Sequence, residues 1–417
     1  MSQLKKEITL LSGVGQLSTT LLGTGLFMIP ALAATVAGED VLWAWLLLLI
    51  AICPIALTFA ALGKRYPNAG GTAHFVNIGF NDKLANAVGW LFLSCIPVGV
   101  PAAIALAASF LTPWLPTQIQ YPFVAECLTV ALLVVVNLAG SKTSSRLQTV
   151  IAIGLLTLIA LFFWRGDVTH IDIQMPAIQT VDWAAIGAAL AVMFWCFVGI
   201  EAFAHMGEEF KNPQRDFPIA IILGCIVAGL TYWACTVVVL KFSAYGTPEM
   251  DTGALPWITA MLFGQSSKLL VSLLGFLACF ASVNLYMQSL SRMLWSQAKQ
   301  TRTNSRLTQI DPRGVPRNAT YAVTAVIMLS LLIGHGIGVD IHMFVKLANG
   351  VFVLIYLLAM LAAVKLLSGA TKALAYLALV LCMIVFACLG WASLYALGVF
   401  GLLLFNPKGR LNQKLAS

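Results

Sequence analysis

The chain has 417 residues, of which 60% are hydrophobic and only 10% are charged, and its formal net charge is +8. A soluble globular protein carries about a quarter charged residues, so this composition excludes a globular cytosolic enzyme. Apolar runs of about 20 residues, the length that crosses a bilayer once, recur almost to the end of the chain. The sequence therefore predicts an all-α polytopic membrane protein that crosses the lipid bilayer many times.

Apolar runs between charged or Pro- and Gly-rich segments predict twelve membrane spans. In chain order they cover residues 11–37, 41–63, 84–110, 122–139, 147–164, 184–207, 217–240, 267–294, 319–335, 343–364, 371–388 and 390–405. The last two spans share one nearly continuous apolar run, so eleven spans are an alternative. No connecting loop is long enough for a soluble domain. We therefore expect one transmembrane domain over residues 1–417, with residues 370–406 forming the last two spans.

The basic residues predict how these spans are oriented. All of the 24 Lys and Arg except Arg165, Lys241, Lys268 and Lys346 fall in the termini, in the loops on one side of the span map or close to that face. Positive charges concentrate in cytoplasmic loops, so we expect an even number of spans with both termini cytoplasmic. Because these charges are spread over many short loops and form no single basic face, we expect no binding to nucleic acid.

Two predicted spans contain residues that interrupt a helix. In the first span two glycines precede Pro30; in a helix interior a glycine costs about 1 kcal/mol relative to alanine and a proline about 3 kcal/mol. The sixth span has a glycine two residues before the acidic Glu201. The candidate substrate-binding residues around the two interruptions are Leu22, Gly23, Thr24, Gly25, Phe194, Trp195, Phe197, Val198 and Gly199.

Interrupted helices offer backbone groups to a ligand. Lipid cannot satisfy free N–H and C=O groups, so non-helical backbone at bilayer depth lines a cavity or is enclosed by protein. The N-terminus of a half-helix suits a carboxylate, and the C-terminal carbonyls of its opposite half suit an ammonium group. We therefore expect the amides of residues 24–26 to bind the carboxylate of a zwitterion, and the carbonyls of residues 21–23 and 195–198 to bind its ammonium. The alternative is that these glycines serve only the close packing of helices.

The two interruptions lie at corresponding places in the chain. Each begins a block of about five spans, which is the pattern of an inverted repeat. We therefore predict inverted repeats over residues 8–165 and 183–365.

Glu201 is the most informative single residue, because an ionised carboxylate inside a span must be paired, protonated or hydrated. It can carry a coupled proton, or it can bond the freed amides near the interruption without changing charge. His205 lies one helical turn later and is a candidate partner. Pro97, Asn284 and Asn349 are candidate cavity-lining residues, although buried amides usually bridge helices. The apparent lack of another intramembrane acid near the site favours neutral substrates.

Five segments together resemble the amino acid-polyamine-organocation superfamily of secondary transporters. They are LLGTGLFMIP (21–30), RYPNAGG (65–71), FWCFVGIEAF (194–203), EFKNPQRDFPIAI (209–221) and SVNLYMQSLSR (282–292). Among the branches of that superfamily, the chain is most similar to the bacterial L-methionine and branched-chain amino acid exporter group. The resemblance implies a LeuT/APC-like fold of ten helices in two inverted halves plus two peripheral helices. It also implies alternating access and efflux of neutral aliphatic amino acids from the bacterial inner membrane. We therefore expect an exporter of methionine, leucine, isoleucine and valine, driven by the proton gradient.

The resemblance also implies roles for particular residues. Residues 23–25 match the substrate loop of the family, and Trp195 matches an aromatic residue that commonly covers the substrate. Val198 and Gly199 match the unwound stretch, and Glu201 matches a glutamate in the same motif.

At Leu155 many proton-coupled relatives have a lysine, so the resemblance does not extend to a lysine-based proton mechanism. An uptake symporter or an exchanger is an alternative within the class. A channel or a non-transporting receptor is an alternative of another class. No enzyme motif, cofactor site or metal site is predicted.

Overall fold

The computed structural model describes residues 8–67, 71–138, 145–168, 175–204, 210–301, 306–311, 315–338 and 341–405. These residues form seventeen α-helices. The helices are α1 (Leu10–Gly25), α2 (Ile29–Ala37), α3 (Val41–Arg65), α4 (Gly71–Gly79), α5 (Asp82–Leu93), α6 (Gly99–Leu111), α7 (Pro122–Leu138), α8 (Ser145–Arg165), α9 (Trp183–Met193), α10 (Ile200–Ala204), α11 (Pro213–Lys241), α12 (Pro248–Phe263), α13 (Gln265–Thr301), α14 (Arg317–Ile337), α15 (Ile341–Leu366), α16 (Gly369–Cys388) and α17 (Ser393–Phe405).

Each predicted span coincides with one helix or with a pair of helices. The pairs are α1 with α2, α5 with α6 and α9 with α10, and the single helices are α3, α7, α8, α11, α13, α14, α15, α16 and α17. Among the described residues, eight helical segments are long and apolar enough to cross a membrane by length and composition. Shorter apolar helices, among them α6, α7 and α17, lie at other predicted spans.

Two helices were not predicted, α4 and α12. They lie in the connections before span three and before span eight, where no long apolar run marks them. Thr247 begins α12 by accepting a hydrogen bond from the Met250 amide at 3.4 Å. This cap stabilises the N-terminus of a helix that apolar patterning alone does not reveal.

The first span is interrupted at residues 26–28, one turn later than the sequence indicates. α1 continues through Gly25, and the Leu26 amide still donates to the Leu22 carbonyl at 3.0 Å. α2 then begins at Ile29 with Pro30 in its first turn. A proline there removes no helical hydrogen bond, because first-turn amides have no partner within the helix.

The sixth span is interrupted where the sequence predicts it. α9 ends at Met193, residues 194–197 form a 3₁₀ turn, and Val198 is extended. Gly199 has a φ of 133°, a conformation that side-chain-bearing residues rarely adopt. This glycine therefore allows the backbone to turn into α10.

The interrupted spans lie at the centre of the helix packing. α1 packs against α8, α11 and α13, and α2 packs against α9. α13 and α15 also pack against α6, so these helices enclose the segment in which both breaks occur. At one end, Ile8 forms an isolated β-bridge with Phe210, and the Lys211 amide donates to the Ile8 carbonyl at 2.9 Å.

Candidate functional site

A cavity with about 430 Å³ of empty volume lies beside the interruptions of the first and sixth spans. The residues that line it are Thr20, Thr24, Cys95, Gly99, Val100, Ala103, Trp195, Val198, Ser282, Val283, Tyr286 and Phe352. They come from α1, the α5–α6 connection, α6, the break of the sixth span, α13 and α15.

None of these twelve described residues carries a formal charge at neutral pH. Hydroxyl groups lie on α1 and α13, while Val100, Ala103, Val283 and Phe352 form an apolar wall. Such a cavity suits a small ligand that has a polar end and an apolar side chain.

Thr24 is the hydroxyl of this cavity best placed to bind a ligand. Its Oγ1 accepts a hydrogen bond from Trp195 Nε1 at 3.1 Å. The other two small hydroxyls are already engaged, since Thr20 donates to the Gln16 carbonyl at 2.8 Å and Ser282 faces the Thr19 carbonyl at 3.3 Å. Within the described part of the chain, no hydrogen bond donated by Thr24 is found, so its hydroxyl hydrogen can bind an acceptor in the cavity.

Glu201 is fully buried next to the cavity, and its carboxyl contacts a backbone amide and two tyrosine hydroxyls. The Gly199 amide donates to Oε2 at 2.9 Å, and the Tyr286 hydroxyl donates to Oε1 at 2.9 Å. The Tyr356 hydroxyl lies 2.5 Å from Oε2 and also 2.9 Å from the Phe197 carbonyl. These contacts connect the carboxyl to α13, to α15 and to both sides of the break in the sixth span.

Side chains and backbone amides of the protein already bind most of the carbonyls that we expected to receive an ammonium group. Tyr232 donates to the Leu21 carbonyl at 2.7 Å, and the Cys279 thiol lies 3.2 Å from the Gly23 carbonyl. The Val198 amide donates to the Trp195 carbonyl. The break in the backbone is thus internally satisfied, as buried polar groups require.

A family model described as "Amino acid permease" matches residues 8–412, almost the whole chain. This chain belongs to the amino acid permease family. It is 47% identical over 412 residues to the L-methionine/branched-chain amino acid exporter of Escherichia coli, a match that covers 98% of each protein. It is 26% identical over 371 residues to a cadaverine/lysine antiporter of the same organism, covering 85% of this chain and 81% of that protein.

A solved structure shows the same fold as the permease. A Na⁺-coupled sialic acid symporter matches with a TM-score of 0.61 and 14% sequence identity, covering 94% of this chain and 90% of the other. The predictions of an all-α fold with twelve spans, of the LeuT/APC-like architecture and of the family are thereby confirmed. The permease is a multi-pass amino acid transporter.

Of the nine predicted substrate-binding residues of the permease, Thr24, Trp195 and Val198 line the cavity. Leu22, Phe194 and Phe197 are buried behind it. The ring of Phe194 packs edge-on against Tyr356 at 5.3 Å between centroids, and that of Phe197 lies 6.4 Å from Tyr232.

The glycines of the permease lie outside the cavity lining and make close contacts with neighbouring helices. A Cβ on Gly23 would lie 1.9 Å from Ser282 Oγ, and one on Gly25 would lie 2.0 Å from Tyr232 Oη. The expectation that amides of residues 24–26 are free for a carboxylate is corrected by the helical bond of Leu26. Gly199 instead donates its amide to Glu201, next to the cavity.

Pro97, Asn284 and Asn349 are not among the residues that line this cavity. Pro97 lies in the turns between α5 and α6, two residues after Cys95. Asn284 accepts a hydrogen bond from Asn137 at 2.8 Å, and Asn349 donates to the Ala191 carbonyl at 2.8 Å. Both amides therefore bridge helices of the permease, which is the usual role of buried amides in membrane proteins. His205 lies outside the described residues.

The sequence did not single out Thr20, Ser282, Tyr286 or Tyr356 for the site. Ser282 and Tyr286 belong to the segment 282–292 that resembles the family, which was the available signal. Tyr356 reaches Glu201 across 155 positions of the chain, a contact that only the packing of α15 reveals.

Proposed function

We propose that this permease exports L-methionine, leucine, isoleucine and valine across the bacterial inner membrane, driven by the proton gradient. The observation that carries the proposal is the uncharged, largely apolar cavity beside the two interrupted spans. Burying a charged substrate side chain without a partner would cost several kcal/mol, so such a cavity selects neutral side chains. The printed name of the 47% identical relative supports the same substrates and the direction of export.

In this proposal the Thr24 hydroxyl binds the carboxylate of the amino acid. Trp195 fixes the orientation of Thr24 through its indole N–H, which leaves the threonine hydrogen directed to the ligand. The side chain of the amino acid packs against Val100, Ala103 and Phe352. Each buried methylene there contributes about 0.8 kcal/mol, which favours methionine and leucine over alanine.

Transport then proceeds by alternating access between two inverted repeats, residues 8–165 and 183–365, with residues 370–406 at the periphery. Both termini lie in the cytoplasm, as the basic residues of the loops indicate. The lipid bilayer surrounds the exposed apolar faces, which are extensive on α14 and α16.

Glu201 is the proposed carrier of the coupled proton. It is fully buried, and the described residues within hydrogen-bonding distance of its carboxyl are a backbone amide and two tyrosines, with no cation among them. A buried carboxylate without a cationic partner is costly, so loss and gain of a proton change the free energy of the surrounding conformation.

Counterflow in proteoliposomes tests this function. Vesicles loaded with unlabelled methionine should accumulate labelled methionine, and leucine, isoleucine and valine should compete whereas lysine should not. A channel would show no acceleration by internal methionine, and a receptor would show binding without accumulation. The direction of transport is measured in cells that are fed a methionine-containing dipeptide. An exporter lowers the concentration of methionine retained inside these cells, and an uptake symporter raises it.

A further inference from the structure

The hydrogen-bonding contacts around Glu201 outnumber the hydrogens of the neighbouring donors by one. Four close contacts link Glu201, Gly199, Tyr286, Tyr356 and the carbonyl of residue 197. The amide and the two phenols provide three hydrogens, because each of these groups donates one. A proton on the carboxyl supplies the fourth: Glu201 then donates to Tyr356, which in turn donates to the carbonyl. The arrangement is fully satisfied with Glu201 protonated and one hydrogen short when it is ionised.

The two tyrosines that contact Glu201 have different surroundings. Tyr356 is fully buried, and its ring packs edge-on against Phe59 and Phe194. Tyr286 lines the cavity, and its ring packs against Phe352, another lining residue, at 6.1 Å between centroids. Of the described residues that hydrogen-bond to Glu201 through a side chain, only Tyr286 therefore faces the cavity.

We propose that the Tyr286 hydroxyl passes the proton between Glu201 and the cavity, and that Tyr356 is a positioning residue. This inference rests on the proton coupling proposed above. On loading, the Tyr286 oxygen accepts a proton from a hydronium ion in the cavity while its own hydrogen moves to Glu201 Oε1, and a half-turn of the carboxyl then places this hydrogen against the Tyr356 oxygen. The phenol is neutral before and after, water is left behind, and the carboxylate becomes a carboxylic acid. Release is the same transfer in reverse.

The other titratable groups near Glu201 do not offer an alternative path within the described part of the chain. Cys95, on the α5–α6 connection, lies within electrostatic range of Glu201 and lines the same cavity, but it forms no hydrogen bond with the carboxyl. Tyr356 contacts Glu201 from α15, and Tyr286 contacts it from α13. Proton transfer along hydrogen bonds requires atoms within about 2.6–3.2 Å, which only the tyrosines meet.

The test uses the full-length permease in proteoliposomes. Methionine flux is measured with a pH gradient and as exchange at equal pH, and the ratio of the two rates reports coupling. Tyr286→Phe should lower this ratio about 10-fold or more, because the relay is removed. Tyr356→Phe should lower both rates together and leave the ratio within about 2-fold, because it alters only the position of Glu201. Tyr321→Phe, on the exposed face of α14, is the matched control without effect.

A second pair of variants separates proton transfer from packing. Tyr286→Gln can still donate a hydrogen bond to Glu201 but does not relay a proton, whereas Tyr286→His can donate, accept and relay. We expect the glutamine variant to be uncoupled and the histidine variant to regain coupling with an altered pH profile. Equal coupling ratios in these two variants would overturn the relay, even if Tyr286→Phe does not fold.

The outcomes distinguish this inference from the function on which it rests. If the wild-type permease exchanges methionine but shows no response to a pH gradient, the proposed proton coupling is wrong. If the wild type is driven by the gradient and Tyr286→Phe keeps the wild-type ratio, only the relay is wrong. Hydrogen–deuterium exchange at the Glu201 carboxyl, measured by the shift of its infrared band, is an independent readout. Exchange should be slower in Tyr286→Phe than in Tyr356→Phe.

Discussion

Glu201 and Glu126 are both buried carboxyls on membrane-spanning helices, yet their surroundings differ. Glu126 lies near the start of α7, where its side chain is 6% exposed, and His335 of α14 contacts it at 2.8 Å with 44% of its own side chain exposed. The His335 ring also packs edge-on against Phe123 at 5.1 Å between centroids. Glu201 lies at the centre of the molecule, and its partners are tyrosines and an amide.

Because both carboxyls are buried, burial alone does not explain why only Glu201 is proposed to couple transport to protons. The His335 ring contacts the Glu126 carboxyl at 2.8 Å, and this contact holds α7 to α14. The described contacts of Glu201 include no group that can compensate its charge, and one of them opens to the cavity. The chemistry of the partner and the neighbouring cavity therefore distinguish the carboxyl proposed to couple transport from the carboxyl proposed to be structural.

The largest expected effect comes from removing the charge at each carboxyl. Glu201→Gln should reduce pH-gradient-driven methionine flux about 100-fold, because the proposed proton carrier is lost. Glu126→Gln should leave that flux within about 2-fold, since the contact of Glu126 with the partly exposed His335 is proposed to be structural. Rates in proteoliposomes of equal protein content measure both. Equal losses of gradient-driven flux in the two variants would show that Glu201 and Glu126 do not differ in coupling.

The next effect concerns substrate binding in the central region. Thr24→Val keeps the shape of the side chain but removes the hydroxyl proposed to bind the substrate carboxylate. A hydrogen bond to a charged group is worth about 1.5–3 kcal/mol, so the KM for methionine should rise about 10-fold or more. Thr24→Ser retains the hydroxyl and serves as the control, with a KM close to wild type. A wild-type KM in the valine variant would place the carboxylate elsewhere.

Packing offers a third contrast between the two regions. A Cβ on Gly25 would lie 2.0 Å from Tyr232 Oη, whereas one on Gly334, next to His335, would lie 3.3 Å from the Phe344 ring. Tyr232 is buried, stacks on Trp45 and donates to a carbonyl of α1, so it cannot easily move. Gly25→Ala should therefore cost about 1–3 kcal/mol, as overpacking does.

Thermal unfolding in detergent measures this contrast. The melting temperature of Gly25→Ala should fall by several degrees, while that of Gly334→Ala should stay near wild type. A tolerated alanine at residue 25 would mean that Tyr232 can move and that the central packing is looser than its contacts indicate.

The fold could be predicted from the sequence because the bilayer imposes one dominant length on every span. The helices α4 and α12 could not be predicted from span length, since neither is a long apolar run. Within the site, Thr24, Trp195 and Val198 could be found because glycines and an acidic residue mark their segments. Their place at the cavity follows from those local signals.

The remaining features depend on which helices face one another. The sequence offers Gly25 as a helix breaker or as a packing residue, and only the position of Tyr232 shows the close contact. Tyr286 and Tyr356 carry no local signal for their contact with Glu201, because α13 and α15 bring them there from distant parts of the chain. Long-range packing, and not local propensity, determines these contacts.

The smallest effect is expected at the outer pair. His335→Ala removes the partner of Glu126 but leaves that carboxyl close to the end of its helix, where water can reach the vacated space. Although Glu126 is buried, 44% of the His335 side chain is exposed, and an ion pair with an exposed partner is worth about 0–1 kcal/mol and weakens with salt. The free energy of unfolding should therefore fall by less than about 1 kcal/mol, and the deficit should shrink at high ionic strength. Denaturation at two salt concentrations measures this, with His335→Gln as the control that keeps a hydrogen-bond donor. A loss of gradient-driven transport in His335→Ala would instead assign the outer carboxyl a part in coupling.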